Sequence, residues 1–392
     1  MISYISATYV HPVVGPPIKN GVLAVGPDRA IEAVFTAEEA KERKIRNIKY
    51  HDGLLVPGFV NTHCHLELSN LCYQIRRHTG LPEFAKSVIR SRTSDEYEIE
   101  TAMLKADIEM FENGIAAVGD ISNQLISRKF KNNTPIHYHT FLEIMGFNPD
   151  KAKEAIARAL KFKEEFAPLP VSIVPHAPYS VSKELFAELR LHQEEMAGML
   201  SIHNQESADE NAFFEHKTGG FLGLFEFLGQ DISFFEAPGT SSIKAFLPLI
   251  SPGLRTLLVH NTYTTAEDVA FAVAIHPNLY WCLCPHANLY IENKLPDVNM
   301  LRAAGLRLTI GTDSLASNTR LSILSEMNLL QEHFNVPTEE LLKWATINGA
   351  EFLGLASEFG SFEPGKRPGV NLVDFTEKDG AVILGDKVKR LF

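Results

Sequence analysis

Eight short apolar runs recur between residues 54 and 314, each closing on polar or metal-ligating side chains and separated from the next by a longer stretch with helical periodicity. They are LLVPGFVNTHCH (54–65), AAVGDIS (116–122), IHYHTFLEI (136–144), VSIVPHAPY (171–179), LSIHNQES (200–207), TLLVHNT (256–262), LYWCLCP (279–285) and LRLTIGTDS (306–314). The intervening segments read as helices. IETAMLKADIEMFENG ends on Gly114 as a C-cap would, and DKAKEAIARALKFKEEF follows the turn-forming Asn148-Pro149 pair. Strands that alternate with helices eight times predict an α/β fold, a (β/α)8 TIM barrel over residues 57–358.

The two ends of the chain have a different texture. Residues 1–56 carry short β-like pieces such as GVLAVG between Gly and Pro, with one helical patch at TAEEAKERKIR. Residues 359–392 match that style, with GVNLVDF, AVILG and a turn signal at Asp379-Gly380. Both ends are expected to meet in one small β-sandwich domain. The alternative is that each end only plugs the barrel. A long Phe-rich insertion, residues 208–253, follows the fifth strand and is a lid candidate.

A barrel of this kind places its chemistry at the C-terminal ends of its strands. The first strand ends His63-Cys64-His65, and residues two apart on a strand point the same way, so the two imidazoles can chelate one ion. The fifth strand adds His203 and the eighth Asp313. Three nitrogens and one oxygen suit a single divalent metal, with Zn²⁺ expected and Fe²⁺ compatible. A lone His at a strand end is more often structural; four ligands in one layer point to a metal. Glu206, three residues after His203, stands where a carboxylate can move the proton of an activated water, and His260 ends the sixth strand where it can orient that water. His176 ends the fourth strand as either a further ligand or a substrate contact. With no lysine placed for carbamylation, a single metal is favoured and His176 falls to the substrate.

Other chemistry is excluded or demoted. The formal net charge of -11, from 37 Lys+Arg against 48 Asp+Glu, repels a phosphate backbone and speaks against nucleic acid. No run reaches the ~18–20 apolar residues of a membrane span, and the N-terminal MISYISATYVHPVV has no signal-peptide pattern, so a cytoplasmic protein without a membrane partner is expected. Cys64, Cys72, Cys282 and Cys284 are expected as reduced thiols, with Cys282-x-Cys284 read as part of a buried strand rather than half a metal clip. Gly360 to Lys366 almost spells a phosphate loop, but Arg367 replaces the required Ser/Thr. No Gly-x-Ser-x-Gly elbow is present.

PGFVNTHCHLELS, HAPYS, SIHNQES, LVHN, CPHANLYI and GTDSLASN, in this order, resemble the amidohydrolase superfamily, in its cytosine-deaminase-like and chlorohydrolase-like branch. The likeness covers nearly the whole chain. Val370-Asn371 departs from the family's usual Ala-Asp at the closing strand. The resemblance implies that His63, His65, His203 and Asp313 hold the metal, that Glu206 shuttles protons and that His260 lies beside the attacked carbon. Histidine followed three residues later by glutamate implies deamination of an aromatic amine. GDISN, HAPYSVS, IHNQES and GTDSLASN are most similar to S-adenosylhomocysteine and aminodeoxyfutalosine deaminases, the second favoured. An adenine-type nucleoside is therefore the expected small-molecule substrate. Hydrolysis of a chloro-aromatic or cyclic amide is the alternative, and a non-catalytic scaffold is disfavoured because every ligand is retained. His176, Glu67 and Tyr179 are candidates for binding a ribose or side group, and Asn288 and Ser314 for approaching the ring; each could equally support a ligand. Family members commonly dimerise, which leaves a homodimer as an expectation without a legible interface.

Overall fold

The computed structural model describes residues 1–92 and 95–392. The N-terminal segment supplies β1 (Ser3–Val10), β2 (Ile18–Lys19), β3 (Val22–Val25), β4 (Ile31–Phe35), α1 (Ala37–Glu42) and β5 (Lys49–Pro57). Eight parallel strands follow: β6 (Phe59–Cys64), β7 (Ile115–Ser122), β8 (His137–Ile144), β9 (Val171–Pro175), β10 (Met199–Asn204), β11 (Arg255–His260), β12 (Leu279–Leu283) and β13 (Leu308–Ile310). Each falls within one of the eight apolar runs or overlaps it.

Helices fill the connections. After β6 come α2 (Leu81–Ser91) and α3 (Glu96–Glu112), after β7 α4 (Arg128–Lys131), after β8 α5 (Ala152–Phe166) and after β9 α6 (Lys183–Leu191). The insertion after β10 holds α7 (Ala208–His216), α8 (Phe221–Phe227) and α9 (Ser242–Phe246). Then follow α10 (Ala266–Ile275) after β11, and α11 (Pro285–Glu292) and α12 (Val298–Ala303) after β12. Beyond β13 lie α13 (Ile323–Phe334), α14 (Thr338–Ala345) and α15 (Ile347–Phe352), and the chain closes with β14 (Val370–Lys378) and β15 (Ala381–Arg390).

The parallel strands form two four-stranded sheets, ordered β6-β7-β8-β9 and β10-β11-β12-β13. At one seam Cys64 bridges Asp313, and the amides of Thr312 and Asp313 both donate to the His63 carbonyl. At the other the His203 amide donates to the His176 carbonyl at 3.0 Å. Strands covered on both faces read as continuous apolar runs, which explains LYWCLCP: Trp281, Cys282 and Cys284 are all fully buried, and all four cysteines are free thiols.

The two termini join in one seven-stranded mixed sheet, ordered β15-β14-β5-β1-β3-β4 with β2 beside β1. Leu372 lies opposite Leu55, and Ile5, Val10, Phe362 and Val370 bury a small core of their own. The β14–β15 hairpin turns at Asp379-Gly380, both at positive φ, as the turn signal requires. Two other glycines are dictated by close approach. At Gly58, where the chain passes from β5 to β6, a Cβ would lie 2.3 Å from the Pro368 carbonyl oxygen. Gly114 ends α3 at φ 79°, and a Cβ there would lie 2.3 Å from the Asn371 amide nitrogen. That side chain donates to the Gly114 carbonyl at 2.8 Å, so the departure from Ala-Asp at residues 370–371 ties the terminal sheet to the α3–β7 turn.

The 208–253 insertion is a packed unit. Phe213 stacks on Phe235 with ring centroids 4.6 Å apart, Phe147 meets Phe225 at 4.9 Å, and the Arg90 guanidinium of α2 sits 4.7 Å over Phe227 of α8. Among the described residues no helix is long and apolar enough to cross a membrane.

Candidate active site

The C-terminal ends of β6, β10, β11 and β13 converge on one buried cluster. The Nε2 atoms of His63 and His65 are 3.1 Å apart, and His65 Nε2 is 3.3 Å from His203 Nε2. Asp313 Oδ1 lies 3.6 Å from His63 Nε2 and 3.5 Å from His65 Nε2. Asp313 takes a left-handed conformation, φ 55°, and its other oxygen accepts from the Ser317 hydroxyl, which turns Oδ1 toward the imidazoles. His203 Nδ1 donates to the His176 carbonyl at 2.8 Å, so its Nε2 presents a lone pair to the cluster.

The electrostatics match a cation among these atoms. Burial, reinforced by neighbouring imidazoles, holds His63 and His65 well below the ordinary histidine range, and His203 is lowered by the same causes. Burial alone would raise Asp313, but the imidazoles of His65, His260 and His203 and the Ser317 hydroxyl outweigh it and hold the carboxyl below its usual value. Neutral imidazoles packed with their Nε2 atoms facing cannot all be satisfied by hydrogen bonds to each other. Among the described residues His63 Nδ1 is buried without a partner as well. Three nitrogens and a carboxylate oxygen facing one point fit a single divalent ion.

Beside this cluster His260, at φ 77°, lies with its Nε2 3.5 Å from Glu206 Oε1. The Asn288 amide donates to His260 Nδ1 at 3.2 Å and to Thr262 Oγ1 at 2.7 Å. With Nδ1 accepting, His260 carries its proton on Nε2, which is buried with no other partner among the described residues. Glu206 is buried, and desolvation, followed by the charges of Asp313, Glu210 and Glu292, pushes its carboxyl well above the carboxylate range. Its backbone amide is pinned by Glu210 Oε2 at 3.2 Å, and Ser207 caps α7 immediately after it.

A cavity of about 320 Å³ opens above this floor. His65, His176, His203, Glu206, His260 and Asp313 face it, as do the predicted contacts Tyr179 and Ser314. Its walls are apolar, drawn from Phe84 and Val88 of α2, Phe147, and Leu224, Phe225 and Leu228 in and beside α8. The insertion thus covers the site. Burial, with the Arg92 charge, brings His176 down to about 4, leaving it neutral; its Nδ1 meets the Ser180 hydroxyl at 2.7 Å. Two predicted contacts are not among the residues that line the cavity. Glu67 accepts from the backbone amides of Asn123 and Gln124 at 3.0 and 3.1 Å, and Asn288 holds His260.

Other groups at the site had no motif to announce them. Glu143, at the end of β8, lies 3.7 Å from His203 Nδ1 and accepts from Asn123 Nδ2 at 3.1 Å. Asp120 accepts the Leu66 amide, next to His65, at 2.9 Å and pairs with the fully buried Lys131 at 2.5 Å. The available signal was position alone: Glu143 and Asp120 sit at strand ends in IHYHTFLEI and AAVGDIS.

The model of the amidohydrolase family matches residues 54–389. An adenosine deaminase of Helicobacter pylori is 27% identical over 338 residues, covering 84% of this chain and 81% of that protein. An aminodeoxyfutalosine deaminase of Nitratiruptor is 27% identical over 368 residues, covering 90% of this chain and 87% of its own length. Among solved structures, the H. pylori aminofutalosine deaminase in complex with methylthio-coformycin superposes with a TM-score of 0.79 at 25% identity, over all of both chains.

Proposed function

The chain belongs to the amidohydrolase family, and from that premise we propose that it is a metal-dependent hydrolase that deaminates an adenine-type nucleoside and releases ammonia. The observation that carries this reading is the pairing of buried Glu206 with His260 at the edge of the His63, His65, His203 and Asp313 cluster. We propose zinc as the ion, since the donor set suits it, with iron(II) sharing the same preferences. A divalent ion held there supplies Lewis acidity, bringing the pKa of water down toward about 7.

The chain's own residues do the rest. Glu206, protonated in its buried setting, donates to a ring nitrogen, which makes the adjacent amine-bearing carbon electrophilic. The carboxylate so formed takes a proton from the attacking water and passes it to the departing ammonia, and it recovers its own proton from the hydroxyl that becomes the product carbonyl. His260 offers its Nε2 proton to the oxygen that attacks, its orientation fixed by Asn288. Tyr179 and the α2 and α8 side chains exclude water from the cavity, and His176, neutral, faces the substrate.

We further propose that the two parallel sheets are halves of one (β/α)8 barrel over residues 57–358, joined through the Cys64–Asp313 and His176–His203 seams, with 1–56 and 359–392 as the separate β-domain. The test of function is ammonia release by the metal-loaded protein from adenosine, 5′-methylthioadenosine, S-adenosylhomocysteine, guanine and cytosine. Release confined to adenine nucleosides is expected. Silence from a protein holding one equivalent of metal would favour the chloro-aromatic or cyclic-amide reading.

A further inference from the structure

Glu206 follows a bend that its backbone does not favour. Gln205 takes a left-handed conformation, φ 45°, which a residue other than glycine holds only where its surroundings over-determine it. Here they do. The Gln205 amide donates to Glu210 Oε1 at 2.9 Å, and its carbonyl accepts from the Tyr263 amide at 2.9 Å. In the side chain, Nε2 donates to Asp268 Oδ2 at 3.1 Å and to Asn211 Oδ1 at 3.2 Å, while Oε1 accepts from the Thr264 hydroxyl at 2.8 Å. Every polar atom of the residue before the proposed proton donor is therefore bonded.

Glu210, in the first turn of α7 and fully buried, is the centre of this arrangement. Its Oε1 accepts the Gln205 amide and the Ser242 hydroxyl, the latter at 2.5 Å, and its Oε2 accepts the Glu206 amide at 3.2 Å. Among the described residues no cation stands against it, so three donors alone hold its charge, and burial pushes the carboxyl up to about 7. An acid placed only for the helix dipole has no need of such burial. Ser242 begins α9 in the 208–253 insertion, and its neighbour Ser241 donates to Asp268 at 2.5 Å. The start of α9 is thus fastened to both carboxylates that clamp the bend. We propose that Glu210 is a positioning residue for the reaction, fixing the Gln205–Glu206 bend so that the Glu206 carboxyl meets the ring nitrogen, with Ser242 of the insertion as its anchor. The proposal rests on the deaminase reading and deepens it. Glutamine cannot do the same work, because one of its two terminal atoms accepts and the other donates, so one of the two amides faces an amino group whichever way the side chain is turned.

The test uses the metal-loaded protein and 5′-methylthioadenosine. Glu210→Gln should lose about 10- to 100-fold in kcat, the range of a catalytic group displaced by about 1 Å, with KM and metal content within about twofold of wild type. In a Glu206→Gln background the same substitution should change kcat by less than about twofold, because nothing is left to position; a contribution to folding or to the metal ligands would lower turnover equally in both backgrounds. Hydrogen exchange gives a readout that needs no turnover: the Gln205 and Glu206 amides should exchange at least about tenfold faster in Glu210→Gln than in wild type. If Glu210→Gln does not fold, Ser242→Ala, which leaves both amides paired, takes its place in both backgrounds and should show a smaller loss that again requires Glu206. Unchanged exchange in Glu210→Gln, or a loss of kcat that is the same with and without Glu206, overturns the assignment. A wild type that releases no ammonia refutes the deaminase reading instead, and the exchange rates then decide the clamp on their own.

Discussion

Replacing Lys131 by Met should damage both the fold and the metal site. The ammonium is fully buried, 2.5 Å from a fully buried Asp120 carboxylate, with hydroxyls of Ser122 and Thr140 at 3.2 and 3.0 Å. Met keeps the unbranched stem of Lys and lacks only the terminal ammonium, so packing changes little while Asp120 is left buried and uncompensated. Breaking such a pair costs about 3–5 kcal/mol, whereas removing both charges costs far less. At roughly 2.1 cal/mol/K per residue, the unfolding entropy of the 392-residue chain is near 0.8 kcal/mol/K, so Tm should fall ~4–6 °C. Asp120 also grips the Leu66 amide next to His65, so Lys131→Met should weaken metal binding as well. Calorimetry and a metal titration read the two effects. Asp120→Asn combined with Lys131→Met should recover most of the loss, because Asn can still accept the Leu66 amide. A Tm within about 1 °C of wild type for the single variant, or a double variant no better than it, refutes the reasoning.

Two further outcomes follow from buried groups. Burial pushes Glu326 up to about 8 from 4.5, while it accepts from the His286 amide and Asn318. With the folded value raised, its stabilising contribution is complete below pH 4.5 and is lost as pH rises through 8, at about 1.4 kcal/mol per unit. Stability measured from pH 5 to 8 should therefore decline less steeply in Glu326→Gln than in wild type, and identical slopes would contradict this. Chelation should lower Tm by several degrees, since metal at a thousand times its Kd contributes about 4 kcal/mol, and added zinc should restore it. A chelated, metal-free protein with unchanged Tm would show that the histidine cluster binds no structural ion.

The legible parts of the molecule were those that repeat or that pair chemistry with strand position. Eight apolar runs announced eight strands, and His63, His65, His203, Glu206, His260 and Asp313 could be placed together because each ends a run. Asn371 was visible as a departure but not as a hydrogen bond to Gly114, because its partner lies 257 residues away. For Glu67 and Asn288 the sequence left open whether each meets the substrate or supports a neighbouring group. Proximity in sequence to a ligand does not say whether a side chain faces the cavity or, as here, backbone amides and a histidine. Lys131 was silent, since it is buried only by tertiary packing.

The most direct measurement of the central claim is ammonia release by wild type and Glu206→Gln side by side, with metal content determined on both. The predicted result is release from a 5′-substituted adenine nucleoside by the wild type, reduced about 10²–10⁴-fold in the variant at equal metal content. Near-normal turnover in Glu206→Gln would contradict the assigned proton donor. Metal-replete wild type releasing no ammonia would contradict the deaminase itself.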